Sequence, residues 1–415
     1  MFRTDVLVIG AGPSGTVAAA IVKKAGLSVR IVEKESFPRF VIGESLIPRV
    51  MDHFEEAGFL PALHRCNWQK KFGARFKKGD VWCEFDFSEQ FTKGWTWTWQ
   101  VPRAEFDMVL AEEVQKQGVP IDFRAEVVGI TLGKPYSVTA VRHSSGREER
   151  IQARFIIDAS GYGRVIPRLF GMERPTPLPP RKAIFVHCYD HLRPRGREGW
   201  MISFVVHRTD VWIWVIPFNN GITSLGVVGD PTYINRFGHD PEMALRTIVD
   251  HDPNYCDRFR NVEYLWKPRV LEAYSATTSD MWGPGFAIVG NSVEFLDPVF
   301  SSGVMFATET ASLAAKMAIR QLQGENVDWK NDYAAYIRRG VDVFRTYVCS
   351  WYDGALQDVF FAPEQNPEIK RQLTSILAGY VWDENNPFVK KHETLVYILS
   401  RYLRSRYTLP VATVP

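Results

Sequence analysis

The stretch Asp5-Val-Leu-Val-Ile-Gly10-Ala-Gly12-Pro13-Ser14-Gly15 leaves a chain few ways to begin folding. Val6 to Ile9 is an apolar run of the length of a buried strand. Val17 to Val22 is rich in small apolar residues, as a closely packed helix requires. The glycines between them have separate jobs. Gly10 permits the tight turn, Gly12 lets a pyrophosphate approach the backbone, and Gly15 lets helix and strand touch. Pro13 and Ser14 open the helix, whose free N–H groups and positive dipole end favour phosphate. A second strand, Ser28 to Val32, runs into Glu33, 23 residues after Gly10. An acceptor for a ribose hydroxyl belongs there, and Lys34 beside it is grouped with the ligand contacts. Strand, turn, helix, strand and acid in this order predict an α/β chain with a Rossmann-like dinucleotide-binding unit.

Composition narrows the class. The chain has 415 residues, 46% of them hydrophobic and 23% charged, which is enough for two domains or one elaborated domain. A net charge of +3 is too small to argue for nucleic acid. No apolar run approaches a membrane span, and the first apolar run already belongs to the nucleotide-binding strand rather than to a secretory leader. The five cysteines are scattered without a C-x-x-C pair, so neither a disulfide framework nor a metal site is expected, and a reducing cytoplasm is the default. The chain carries 13 Trp and 27 Phe, which fit either a large core or a pocket for a flat aromatic ligand.

After Glu33, the segment Phe37 to Pro48 is a Pro- and Gly-marked loop close to any bound dinucleotide. Arg39 and Ser45 are candidate contacts there, Arg39 being equally readable as a surface-turn residue. Asn67 to Phe76 alternates like a strand, with Lys71, Gly73 and Arg75 on one face. On that pattern alone it is a half-exposed strand and Lys71 a solvated lysine. Trp95, Trp97 and Trp99 share one face of a predicted strand. Arg103 lies near the start of a helix reaching to about Gln117, within reach of a phosphate or ring edge. A strand is expected from Ile121 to Ile130, with Val127 and Val128 in its middle. Phe155-Ile-Ile-Asp158 runs into a second glycine turn at Gly161, where Asp158 either caps the turn or approaches the ligand. Trp200 to His207, Val211 to Ile216 and Thr223 to Val228 alternate as in an antiparallel sheet. A long helix is predicted from Val304 to about Leu322, behind the Ser/Gly loop at Ser301. The tail from Trp329 reads as mostly helical and ends in the basic, aromatic segment Arg401 to Tyr407.

Several of these motifs stand in one order. Gly10/Gly12/Gly15, Gly43-Glu-Ser45, Pro102-Arg103 through Asp107, and Asp158-Ala-Ser-Gly161 together resemble the FAD-dependent monooxygenase-like flavoproteins. Trp212-Ile-Trp214-Val-Ile216-Pro217 and Phe295-x-x-Pro298-x-x-Ser301-x-Gly303 resemble the two hallmarks of flavin-dependent halogenases. Lys70-Lys71-Phe72-Gly73-Ala74 resembles the stretch that carries their catalytic lysine, and the alignment selects Lys71. The resemblance covers residues 1 to about 330.

That likeness implies FAD as cofactor, reduced by a separate flavin reductase, and chloride or bromide as co-substrate. Reduced FAD and oxygen would convert halide to hypohalous acid (HOX). A halide site would lie at Ser302 and Gly303, where a helix start offers N–H groups. Lys71, buried in that reading, would hold the HOX. Trp212, Trp214, Ile216 and Pro217 would wall the flavin off from the organic substrate, although plain core packing explains the tryptophans as well. The expected FAD contacts are Gly10, Gly12, Pro13, Ser14, Gly15, Glu33, Lys34, Arg39, Ser45, Arg103, Val128, Asp158, Gly161, Asn291, Pro298, Gly303 and Val304. Two positions depart from family patterns. Phe300 stands where tryptophan halogenases carry a glutamate, which turns the expected substrate from free tryptophan to a phenol or pyrrole, often tethered to an acyl or peptidyl carrier protein. Asn291 replaces a frequent aspartate, and an amide still hydrogen-bonds there.

The expected architecture is a Rossmann-like FAD-binding domain with an inserted antiparallel sheet and a C-terminal helical segment. Residues 1–80, 102–175 and 276–328 are assigned to the FAD-binding domain, 81–101 and 176–275 to the substrate-side strands, and 329–415 to the helical region. Three other readings stay open: a reductase of isoprenoid or polyene double bonds, an oxygenating monooxygenase, and a non-catalytic flavoprotein of a biosynthetic complex.

Overall fold

The computed structural model describes residues 2–407, so residue 1 and the end of the tail, 408–415, lie outside it. The first strand, Phe2–Ile9, is the centre of the larger sheet. It pairs in parallel with Val29–Val32 on one side and Glu148–Asp158 on the other. Ile121–Asp122 extends the sheet beyond Val29–Val32, and Phe286–Ile288 extends it beyond Glu148–Asp158, both in parallel. Val6, Leu7 and Val8 are fully buried because helices cover the sheet. The helix Pro13–Lys24 packs along Gly303–Leu322, and both present small apolar residues at the contact.

The second sheet has seven strands. Its order is Arg269–Glu272, Lys182–Tyr189, Ile222–Gly229, Val211–Pro217, Ser203–Arg208, Gly73–Lys78 and Val81–Asp86. All pairings are antiparallel except that of Ser203–Arg208 with Gly73–Lys78. Both faces of its centre are buried. Trp212, Trp214 and Ile216 join the main core, whereas Val211, Ile213 and Val215 join a second core with the helix Pro241–Asp250. The period-2 alternation of one strand thus divides two cores. Gly226 faces Trp214 across the ladder, and a methyl group there would lie 2.3 Å from the indole, so the glycine is what admits the ring.

C-terminal helices, among them Tyr336–Tyr352, Ala355–Phe360 and His392–Arg406, close over the main core. Trp351 and Phe360 meet Phe76 at ring distances of 5.5 and 4.9 Å.

Three expectations change. The strand read over Asn67 to Phe76 is two strands, Gln69–Lys71 and Gly73–Lys78, which belong to different sheets. The alternation fails at the break, where Lys71 is 2% exposed and Phe72 is 40% exposed, while both faces of Gly73 to Phe76 are buried. The strand over Ile121 to Ile130 is also two, Ile121–Asp122 and Ala125–Thr131, parted where Arg124 takes a left-handed φ of 55°. Of the Trp95 to Trp99 run only Thr98–Gln100 is strand. The three indoles form a stepped row, at centroid distances of 6.1 and 5.0 Å.

Candidate functional site

The parallel strands end in one row. Ile9 lies opposite Val32 and Asp158, and Asp158 opposite Ile288. A crevice outside the carboxyl ends of such strands is where a dinucleotide fold binds its ligand. Here it is a cavity of about 580 Å³ that runs from the glycine turn to the seven-stranded sheet.

At the first end the backbone builds the site. Gly10 has φ 99°, and a methyl group on it would lie 2.5 Å from the Ala159 carbonyl oxygen. One on Gly15 would lie 1.9 Å from the carbonyl oxygen of Gly10. Neither position admits a side chain, which leaves Gly12, Pro13 and Ser14 on the cavity wall above a helix start without a side-chain cap. Glu33 is buried on that wall. Its Oε2 accepts the Ala11 N–H at 2.8 Å and its Oε1 the Glu35 N–H at 2.9 Å. Each oxygen keeps a lone pair for a hydroxyl donor. Lys34, Arg39 and Gly161 line the same end.

Arg39 and Arg103 share one buried acid. Arg103 Nε donates to Asp107 at 2.8 Å and Arg39 Nη1 at 3.2 Å, while Arg103 Nη1 donates to the Ile42 carbonyl at 3.0 Å. Two guanidiniums with one carboxylate leave a positive surplus facing the cavity, suited to a pyrophosphate.

The other end is assembled from side chains. Trp212, Trp214 and Ile216 line it, with Phe204 from the next strand. Asn291, Pro298, Ser301, Gly303 and Val304 come from the opposite side. Ser301 adopts φ 57° and turns the chain into the helix at Gly303. Ser45 brings in Lys71. The ribbon of Gln69–Lys71 with Thr98–Gln100, bridged by Ser45 to Gln100, buries the lysine. Lys71 Nζ donates to Ser45 Oγ at 2.8 Å and to the Leu46 carbonyl at 2.7 Å. Burial without a counter-ion pulls its pKa from 10.5 down to about 7.

Some candidates stand off the cavity wall. Asp158 caps the glycine turn: Oδ1 accepts from Ser160 N–H at 2.9 Å and Oδ2 from Ile166 N–H at 2.6 Å, and burial raises its pKa. Gly15 supports the turn from beneath. Val127 lines the cavity and Val128 does not, in a strand whose register shifts between Val127 and Gly129. Pro217 offers its carbonyl to Gln100 Nε2. Ser302 is buried and does not line the cavity, and Lys71 reaches the wall through its bond to Ser45.

The wall also holds Phe40, Ile42 and Tyr162, which lie outside the motifs, and Glu44 and Phe295, which stand inside motifs but were not expected to touch the ligand. Glu44 is the most telling. It is 1% exposed, its Oε1 meets His187 Nε2 at 2.5 Å, and its Oε2 has no partner. An orphaned buried acceptor on the wall fits a ligand rich in N–H and hydroxyl donors. Its signal in the sequence is a charged residue in the Pro- and Gly-marked loop, directly beside Ser45. Among the described residues no cluster is suited to hold a metal, and the five cysteines are free thiols.

Comparison with known proteins agrees with this geometry. The family model described as "FAD binding domain" matches residues 3–323. The 1H-pyrrole-2-carbonyl-(peptidyl-carrier protein) chlorinase of Pseudomonas fluorescens is 26% identical, over 91% of this chain and 89% of its own. The corresponding brominase of Pseudoalteromonas luteoviolacea is 27% identical, over 91% and 92%. A crystal structure of a flavoprotein/dehydrogenase from Cytophaga hutchinsonii is 49% identical with a TM-score of 0.96, covering 97% of this chain and 99% of that one. Fold and cavity define a flavin-dependent oxidoreductase-type enzyme that binds FAD. The chain belongs to the FAD binding domain family, and it is similar to the carrier-protein chlorinase and brominase along nearly their whole length.

Proposed function

We propose that this protein is a halogenase of electron-rich aromatics. Reduced FAD, supplied by a separate reductase, and oxygen would give FAD, water and one HOX for each halide and proton consumed. The observation that carries the reading is Lys71. It is a buried amine with no acid beside it, depressed to about 7 and hydrogen-bonded to a residue of the cavity wall. An amine near half-neutral at physiological pH can donate a hydrogen bond to HOX or take its halogen as a haloamine. Gly10 to Ser14, Glu33, Arg39 and Arg103 would hold the dinucleotide. Halide would sit at the Ser301–Gly303 turn, where the uncapped N-terminus of a 20-residue helix offers N–H groups. Trp212 and Trp214 would keep the organic substrate from the flavin. The pyrrole-carrier relatives support a pyrrole delivered on a carrier protein, and a phenol rests on the sequence pattern at Phe300 alone.

The test is to reduce the FAD-loaded protein without air, mix it with oxygenated buffer, and follow flavin absorbance with and without bromide or chloride. Halide that changes the reoxidation course, together with halogenated product from a pyrrole-2-carboxyl thioester of a carrier protein, supports the proposal. A course blind to both halides refutes it. A second reading, a reductase of carbon–carbon double bonds, draws on the dehydrogenase named at 49% identity. Product with two added hydrogens and no halogen would select it.

A further inference from the structure

The helix Tyr336–Tyr352 ends against the cavity wall rather than in solvent. Trp212, on that wall, donates its indole N–H to Tyr352 Oη at 3.0 Å. Tyr352 donates its own proton to Asp297 Oδ2, also at 3.0 Å, and Tyr274 reaches the same oxygen at 3.3 Å. Asp297 Oδ1 accepts the Val299 N–H at 3.0 Å and so caps the turn Pro298–Phe300, which leads to Ser301 and Gly303. The Arg181 guanidinium lies over the Tyr352 ring, 3.9 Å from its centroid.

The two motifs therefore touch one hydrogen-bonded chain, and its middle member comes from outside both. We infer that Tyr352 and Asp297 are positioning residues, which lock the Trp212 indole and the Pro298–Gly303 turn into one rigid wall of the flavin site. The reason is economy of buried polar groups. An indole N–H at a fixed depth needs one acceptor, and Tyr352 supplies it. A tyrosine hydroxyl that accepts from Trp212 has a single proton to give, and Asp297 takes it. The carboxylate is then committed to the turn and to the tyrosine together. Moving either motif breaks a bond in the other, and a donor left unpaired in this interior is costly. The inference needs FAD in the cavity but not halogenation, so the two stand or fall separately.

The experiment is a double-mutant cycle on FAD affinity, with Tyr352→Phe, Trp212→Phe and the pair, read by flavin fluorescence in a titration of apoprotein. Tyr352→Phe is expected to weaken FAD about fivefold to tenfold and to blur the fine structure of the bound flavin's visible band. In the Trp212→Phe background the same change should cost no more than about twofold. An unchanged Kd and spectrum in Tyr352→Phe, or losses that simply multiply, would overturn the inference. Should Tyr352→Phe fail to fold, Asp297→Asn probes the same node with little change in shape, and there an unchanged FAD affinity and flavin spectrum is the refuting result.

Discussion

The two ends of the cavity are built by different means. The end at the glycine turn rests chiefly on backbone: a turn in which no side chain fits at Gly10 or Gly15, a helix start, and an acid that bonds the turn itself, with the guanidiniums of Arg39 and Arg103 beside them. The end at the seven-stranded sheet is side chains carried in from segments far apart in the chain, around residues 45, 71, 98, 212, 301 and 352. A site made of backbone is as robust as the local fold and serves any dinucleotide. A site made of converging side chains is specific, and each member depends on the packing of the others.

The comparison breaks first at Lys71. Lys71→Ala should lower halogen transfer by about a thousandfold while FAD affinity stays within about twofold, measured by mass spectrometry of product beside a flavin titration. Equal losses in both would mean that the two ends are not separable. In the native protein, transfer should rise with pH through about 7 as the amine becomes neutral, then level off. Gly15→Ala addresses the other end. A methyl group 1.9 Å from a carbonyl oxygen forces helix and turn apart, and FAD affinity should fall about a hundredfold.

Lys71→Met separates stability from chemistry. The folded pKa of about 7 lies below the ordinary 10.5, so between those values the unfolded chain binds the extra proton. Stability from this group is therefore complete above 10.5 and lost as pH falls toward 7. Methionine removes that penalty together with two hydrogen bonds. At pH 7 the variant should be more stable by about 2 kcal/mol in urea unfolding, with the gap closing by pH 10. A gap independent of pH would show that the amine is not desolvated. Arg39→Met should have the smallest effect, about a tenfold loss of FAD affinity, because Arg103 remains on the same acid. A loss that grows at low salt would confirm that the missing term is charge.

The same contrast decides what the sequence disclosed. The glycine turn and Glu33 are local, and spacing alone placed them on the cavity wall. Lys71 is not local. Alternation made it solvent-facing, because nothing nearby announces that the strand breaks at Phe72 or that Gln69–Lys71 pairs with Thr98–Gln100. Only the family likeness argued for its burial. Asp158 was readable as cap or ligand, and the pairing of strands, which sets where the turn folds back, decided for the cap. Tyr352 left no trace, since its partners Trp212 and Asp297 lie far away in the chain.

The strand Val211–Pro217 has one further consequence, for anyone who would redesign the pocket. Its indoles face the cavity while Ile213 and Val215 face a separate apolar layer with the helix Pro241–Asp250. The far layer acts as an adjusting screw. A change of one methylene at Ile213 or Val215 is expected to shift the backbone that carries both tryptophans, without placing any new atom in the cavity. Libraries aimed at new substrates therefore gain fine control from the side of the sheet that no substrate ever meets.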